Sequence, residues 1–176
     1  MTTLNPNRKE DPVSDEHNIR VLLVDDEEVL VEYLSKRLLK QGFTVKAAFS
    51  GEEAVDAAHE EYYDVAVVDL KMGEMDGVET QKRLKKLQPF LQCIVLTGHG
   101  SIESALESGQ QEAFQYLLKP VDYDNLLATI REAYQKKVES QRKDFASHVE
   151  RIQGAGLGPH GMRKAIRQLR QIYGLE

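Results

Sequence analysis

The chain has 176 residues, of which 41% are hydrophobic and 30% charged, and its formal net charge is −6. This balance is typical of a globular protein, and no apolar run approaches the roughly 20 residues that a membrane span requires. The single cysteine, Cys93, excludes an internal disulfide, so the sequence favours a cytoplasmic protein with no membrane partner.

The charge is distributed unevenly along the chain. Residues 1–135 carry 14 Lys and Arg against 25 Asp and Glu, a net charge of −11, whereas residues 136–176 carry 9 against 4, a net charge of +5. Charge and composition both change near Tyr134. We therefore predict three segments, which are a disordered leader at residues 1–17, a folded domain at 18–137 and a C-terminal extension at 138–176.

Five apolar segments of strand length alternate with segments of helical periodicity. Strands are expected at about residues 19–24, 43–49, 64–69, 91–97 and 113–118. Helices are expected at about residues 27–41, 52–61, 78–87, 102–108 and from 123 onward. Ser50, Ser101 and Asp122 are predicted helix caps, and Gly42 a helix stop. The alternation predicts a doubly wound α/β domain built around a parallel sheet.

Polar side chains stand where four of the predicted strands end. Asp25 and Asp26 follow the first strand, Asp69 ends the third, Thr97 ends the fourth and Lys119 follows the fifth. With right-handed crossovers, the carboxyl ends of parallel strands meet at one edge, where open α/β sheets bind their ligands. The pattern therefore predicts a site of three carboxylates, one hydroxyl and one ammonium group.

Three carboxylates at one place repel one another unless a cation joins them. Their oxygen atoms suit a hard divalent ion, so we expect Mg²⁺ as the cofactor. Lys119 can pair with Asp69 or with a phosphoryl oxygen, and Thr97 can donate a hydrogen bond to that oxygen. Because an aspartate can attack phosphorus, the group is suited to forming an aspartyl phosphate.

Four motifs resemble those of a known family. V-D-D-E, D-L-K-M-G-E-M-D-G, V-L-T-G-H-G and Y-L-L-K-P are similar, in order and spacing, to the response-regulator receiver domain of two-component signalling over about residues 18–137. The resemblance implies a flavodoxin-like, five-stranded parallel sheet of order 2-1-3-4-5. It also implies a cis peptide bond between Lys119 and Pro120.

The resemblance also implies roles for the residues at the strand ends. Asp69 would be the phosphoacceptor. Asp26, Asp69 and the backbone carbonyl of Lys71 would bind Mg²⁺ directly, and Asp25 would bind it largely through water. Family members receive their phosphoryl group from a sensor histidine kinase or a phosphotransfer protein, and we expect such a partner here.

Three further residues take roles from the same resemblance. Thr97 and Lys119 would bind the phosphoryl group, and Tyr116 matches the family's switch aromatic, which swings inward as Thr97 moves toward the phosphate. The expected protein is thus a phosphorylation-dependent response regulator, a signalling protein and not an enzyme.

Other functions stay open on the residues alone. A Mg²⁺-dependent phosphatase of the haloacid-dehalogenase type also uses an aspartate nucleophile, but it needs an acid two residues later, where this chain has Lys71. A nucleotide-binding Rossmann domain needs a Gly-rich loop after the first strand, where this chain has Asp-Asp-Glu-Glu. A receiver used only as a scaffold would not need the full set of acceptor residues.

The C-terminal extension has two amphipathic segments. The last predicted helix continues past the receiver with an apolar stripe: Leu127, Ile130, Tyr134, Val138, Phe145, Val149 and Ile152. A Gly-rich linker is expected over Gly154–Gly161. A short helix follows, with Met162, Ile166 and Leu169 on one face and basic residues on the other: Arg163, Lys164, Arg167 and Arg170.

The two stripes have alternative partners. They can pack together as a helical hairpin or pair between chains in a homodimer, and the basic helix can dock on an acidic partner. DNA binding through the basic tail is the weaker alternative, because the tail is too short for an independent three-helix core.

Overall fold

The computed structural model describes residues 18–98 and 113–173. The strands are β1 (Arg20–Val24), β2 (Thr44–Ala48), β3 (Val65–Asp69), β4 (Gln92–Thr97) and β5 (Gln115–Leu118). The helices are α1 (Glu28–Lys40), α2 (Gly51–Glu60), α3 (Gly77–Leu87), α4 (Tyr123–Gly154) and α5 (Pro159–Tyr173). The predicted leader, the predicted helix at 102–108 and its cap Ser101 lie outside the described residues. Within the described residues no helix is long and apolar enough to cross a membrane.

The five strands form one parallel sheet in the order β2-β1-β3-β4-β5, as predicted. β3 lies at its centre and is buried along its whole length. Val65 and Val67 face a core built with α1 and α4, and Ala66 and Val68 face a second core built with α2 and α3. A strand with helices on both sides reads as a continuous apolar run, which is why β3 lacks the usual alternation. Cys93 is buried as expected.

Local signals in the sequence set the ends of several helices. The Ser50 hydroxyl accepts a hydrogen bond from the Glu53 amide at 3.1 Å, and the Asp122 carboxylate accepts one from the Asn125 amide at 2.7 Å. Both caps satisfy amides that have no partner inside the helix. Gly42 follows α1 with a φ of 90°, a conformation that favours glycine. The Lys119–Pro120 peptide bond is cis, as predicted.

The C-terminal extension folds as a helical hairpin within one chain. α4 runs without a break to Gly154, and α5 packs back against it with Leu169 buried. The ring of Tyr173 lies edge-on to Phe145, with 5.5 Å between ring centroids, and its hydroxyl donates a hydrogen bond to Asp144. Desolvation and this hydrogen bond raise the pKa of Tyr173 to about 12, so the hydroxyl keeps its proton at neutral pH.

The predicted linker at Gly154–Gly161 was wrong at both of its ends. α4 includes Gly154 and α5 begins at Pro159, so only residues 155–158 connect the two helices. Proline is well suited to the first turn of a helix because the amide that it lacks would have no partner there. The glycine-rich composition hid this start signal.

Two contacts join the hairpin to the sheet. Lys137 forms an ion pair with Asp64, which directly precedes β3, and each side chain is only 15% exposed. Asp64 also accepts a hydrogen bond from the Arg20 amide at 2.7 Å. Farther along, the Tyr173 ring lies 6.0 Å from the ring of Phe90. The hairpin therefore lies at the amino ends of the central strands.

Leu169→Ala should loosen α5 without unfolding the sheet, because Leu169 is the buried residue of that helix. A cavity of this kind costs about 2 kcal/mol, which corresponds to roughly 30-fold faster opening of α5 in hydrogen exchange. Arg170→Ala is the control, since Arg170 is exposed on the same helix. Equal exchange rates in the two variants would contradict this packing.

Candidate functional site

The carboxyl ends of two adjacent strands bring the predicted acidic residues together. Asp25 follows β1, Asp69 is the last residue of β3, and Asp26 lies beside Asp25 in the turn to α1. One carboxylate oxygen from each of the three lies within 4.8 Å of the others. Asp25 and Asp69 are 3% and 5% exposed, whereas Asp26 is exposed. The cluster is therefore a shallow acidic pocket with one solvent-facing side.

Lys119 connects the two buried carboxylates. Its ammonium nitrogen lies 2.7 Å from Asp25 Oδ2 and 3.2 Å from Asp69 Oδ1. It also lies 3.4 Å from Glu27 Oε1, a contact that sequence reasoning missed although Glu27 follows the two aspartates directly. The Lys119 amide donates a hydrogen bond to the Thr97 carbonyl at 2.8 Å, which holds the start of this loop beside the end of β4.

Burial and crowding determine the protonation of the pocket. Desolvation and the nearby charge of Asp25 raise the pKa of Asp69, and Lys119 offsets only part of this effect. Desolvation alone would lower the pKa of Lys119, but its contacts with Asp25 and Asp69 outweigh it and raise that pKa. The pocket thus has more negative charge than its one buried ammonium can balance.

The structure also describes the other three predicted site residues, which are Thr97, Lys71 and Tyr116. Thr97 is fully buried at the end of β4, and its hydroxyl donates a hydrogen bond to the Gly98 carbonyl at 3.2 Å. Lys71 lies in the loop two residues after Asp69, and its role as a carbonyl ligand stays a prediction. Tyr116 is half-buried on β5, opposite Val95 of β4. Its role as a switch also stays a prediction.

A family model for the response regulator receiver domain matches residues 21–131. The chain belongs to this family. The fold agrees with the assignment, since the sheet order and the all-parallel pairing are those expected from the resemblance.

Relatives of this receiver include longer regulators. The transcriptional regulatory protein ZraR of Escherichia coli strain K12 is 38% identical over 116 residues, which are 66% of this chain and 26% of that protein. The alginate biosynthesis transcriptional regulatory protein AlgB of Pseudomonas aeruginosa is 28% identical over 156 residues, which are 87% of this chain and 34% of that protein. The chain therefore spans about a quarter to a third of the length of these relatives.

Solved receiver structures share the fold. The response regulator TrrA from Thermotoga maritima, solved in complex with Mg²⁺ and BeF, is 29% identical with a TM-score of 0.59. The similarity covers 65% of this chain and 98% of that one. The part shared with TrrA is the receiver, so this similarity bears on the acidic pocket more than on the hairpin.

Gly77 is a second residue of this receiver that sequence reasoning passed over. A Cβ atom there would lie 2.2 Å from the Asp69 carbonyl oxygen and 2.8 Å from Leu70 Cα. The Gly77 amide donates a hydrogen bond to the Leu70 carbonyl at 3.0 Å, and Asp76 caps α3 through the Glu79 amide. The missing side chain lets α3 begin directly against the backbone of Asp69. The sequence hint was a glycine placed immediately after a helix cap.

Asp69→Asn should raise the free energy of unfolding at neutral pH when no divalent ion is present. A carboxyl group whose pKa is higher in the folded state stabilises the fold at low pH, and this contribution is lost as the pH rises through the folded-state pKa. The gain from Asp69→Asn should therefore shrink as the pH falls through the raised folded-state pKa and vanish below the ordinary value of 3.8. Denaturant unfolding in a chelator, from pH 3 to pH 7 (roughly the range over which carboxyl groups titrate), measures it.

Glu139→Gln is the control for that experiment, because Glu139 is an exposed carboxylate on α4, remote from the pocket. It should leave the pH dependence unchanged. A loss of stability in Asp69→Asn across the whole pH range would contradict the crowded-carboxylate description.

Proposed function

We propose that this receiver takes a phosphoryl group onto Asp69 from a sensor histidine kinase or phosphotransfer protein, and that the modification controls its contacts with other proteins. The observation that carries the proposal is the bridge from Lys119 to both Asp25 and Asp69 at the solvent-facing edge of the sheet. It gathers a nucleophilic carboxylate, a cationic group and a divalent-ion pocket at one point.

The donor set fits Mg²⁺. Asp25, Asp26 and Asp69 offer carboxylate oxygens within 4.8 Å of one another, and one side of the pocket is open to water. Mg²⁺ prefers such oxygens and keeps several waters. Bound there, it would neutralise charge on the incoming phosphoryl group. Asp26, Asp69 and the Lys71 carbonyl are the proposed direct ligands, with Asp25 acting through water.

The chemistry follows from the groups that surround Asp69. A carboxylate oxygen of Asp69 attacks phosphorus, the bond from phosphorus to the donor's histidine nitrogen breaks, and its electron pair stays on the imidazole, which takes up a proton. The Lys119 ammonium lies close enough to turn from the carboxylate to a phosphoryl oxygen. The Thr97 hydroxyl donates its hydrogen bond to the Gly98 carbonyl and can donate it to a phosphoryl oxygen instead. Tyr116 is proposed to follow that movement.

The output of the modified receiver is proposed to be a protein–protein contact. Relatives such as ZraR are named as transcriptional regulatory proteins, but this chain spans 26% of that protein. The part present here contains the receiver and a helical hairpin. We therefore propose that this part accepts a phosphoryl group and signals through protein contacts, and does not turn over a substrate.

Incubation with Mg²⁺ and a small phosphodonor such as acetyl phosphate should add one phosphoryl group to the wild type, seen as a mass increase of the intact protein. Asp69→Asn should show no adduct, because the nucleophile is lost. Asp76→Asn is the matched control, since asparagine also caps a helix and Asp76 lies in the same loop. Hydroxylamine should remove the adduct, as expected for an acyl phosphate. An adduct on Asp69→Asn would contradict the assignment.

Lys119→Met should slow adduct formation by about 100-fold, because the preorganised cation that stabilises the transferring group is removed. Lys46→Met is the control, since Lys46 is exposed on β2. The rates come from the same mass measurement followed over time. Equal rates for the two variants would show that Lys119 only stabilises the fold.

A further inference from the structure

The outward face of α5 is basic along its length. The helix holds four Lys and Arg residues and no Asp or Glu. His160, Arg163, Lys164 and Arg167 line an open groove of about 640 Å³. Within the described part of the chain, the ammonium of Lys164 and the guanidinium of Arg167 form no ion pair or hydrogen bond. Five other basic residues among the described residues do pair with acids: Arg20, Lys36, Arg83, Lys119 and Lys137.

The outward face of α2 is acidic in the same way. Glu52, Asp56 and Glu60 follow one another at four-residue spacing, all three are exposed, and α2 contains no Lys or Arg. None of the three carboxylates has a hydrogen bond or ion pair to another described residue. The acidic line spans nine residues, about 12 Å of helix, which is similar to the reach of the basic face of α5.

Helix stability does not account for all of these charges. Glu60 is the last residue of α2, where the helix dipole disfavours an acid. Arg163, Lys164 and Arg167 lie between the two terminal turns of α5, where the dipole gives them no stabilisation. A partner of opposite charge would stabilise both faces.

An apolar cleft lies between the two charged faces. Tyr62, just after α2, and Ile172, near the end of α5, are 78% and 77% exposed, and both line a cleft of about 540 Å³ between the receiver and the hairpin. Phe90 and Tyr173 form part of its walls. Ile172 stands eight residues after Lys164, about 80° farther around α5, so it borders the basic face on the side of the cleft.

We propose that α2, this cleft and α5 together form a two-fold interface between two copies of the chain. The basic face of α5 in one copy would lie on the acidic face of α2 in its partner, and the same contact would repeat on the other side of the axis. Tyr62 and Ile172 would meet near the axis as an apolar centre with a charged rim. One chain carries both surfaces and does not pair them with each other, which argues for a second copy as the occupant.

The interface differs from a pairing of the apolar stripes, because those stripes face each other within the chain, where Leu169 is buried and Tyr173 packs on Phe145. It also does not rest on phosphorylation of Asp69, which lies at the carboxyl end of β3, whereas the cleft is lined by residues next to the amino ends of β3 and β4. Failure of one proposal therefore leaves the other intact.

Sedimentation equilibrium of the full chain, without phosphodonor, tests the interface. The wild type should dimerise with a Kd of about 1–100 μM that weakens with salt. Asp56→Lys with Glu60→Lys, and Lys164→Glu with Arg167→Glu, should each weaken the dimer at least about 10-fold, because like charges then face each other. All four substitutions together restore opposite charges and should return the Kd to within about threefold of wild type.

Lys36→Glu with Lys40→Glu is the control matched to the α5 pair, because it makes the same change in net charge on α1, which packs on the other side of the sheet from α2. It should leave the Kd unchanged, and circular dichroism checks that every variant is folded. Three results would overturn the proposal. The wild type could stay monomeric at about 1 mM, the charge reversals could leave the Kd unchanged, or the variant with all four substitutions could fail to regain the wild-type Kd. Binding of duplex DNA by a monomeric chain through Lys164 and Arg167 would overturn it too, and would assign the face to nucleic acid.

Discussion

The receiver depends on one ammonium group that two buried carboxylates share. Lys119 contacts both Asp25 and Asp69, and the exposed Asp26 adds a third negative charge to the same pocket. The fold thereby holds together groups that repel one another, and the pKa of Asp69 is raised as a result. A pocket that lacks positive charge favours whatever brings it, which explains why a divalent ion and a phosphoryl donor suit the same place.

β3 links this pocket to the rest of the molecule. Asp69 ends the strand, and Asp64 precedes it at the opposite end, about 16 Å away along an extended chain. Asp64 holds Lys137 of α4, at the point where the helix leaves the receiver. The hairpin and the acidic pocket therefore lie at opposite edges of the sheet. A signal from Asp69 to the hairpin has the central strand and α4 as its continuous structural connections.

Sequence reasoning predicted most of the receiver because its signals are local or follow from topology. The apolar run of β3, the caps Ser50 and Asp122, and the polar strand ends that place Lys119 beside Asp69 all belong to this kind. The close approach of Gly77 to Asp69 depends on how α3 packs, which no local pattern records. The contact of Tyr173 with Phe90 joins residues far apart in sequence, so the sequence could not show that α5 packs back within its own chain.

The protonation of Asp69 with and without Mg²⁺ tests the central claim most directly. Carbon-13 NMR of the side-chain carboxyl carbon, followed as a function of pH, reports the pKa of this one group. The account predicts a pKa above the ordinary value of 3.8 in a chelator and a value below it once Mg²⁺ is bound, because the ion supplies the charge that Lys119 alone cannot. An Asp69 pKa that is the same in both conditions would contradict it.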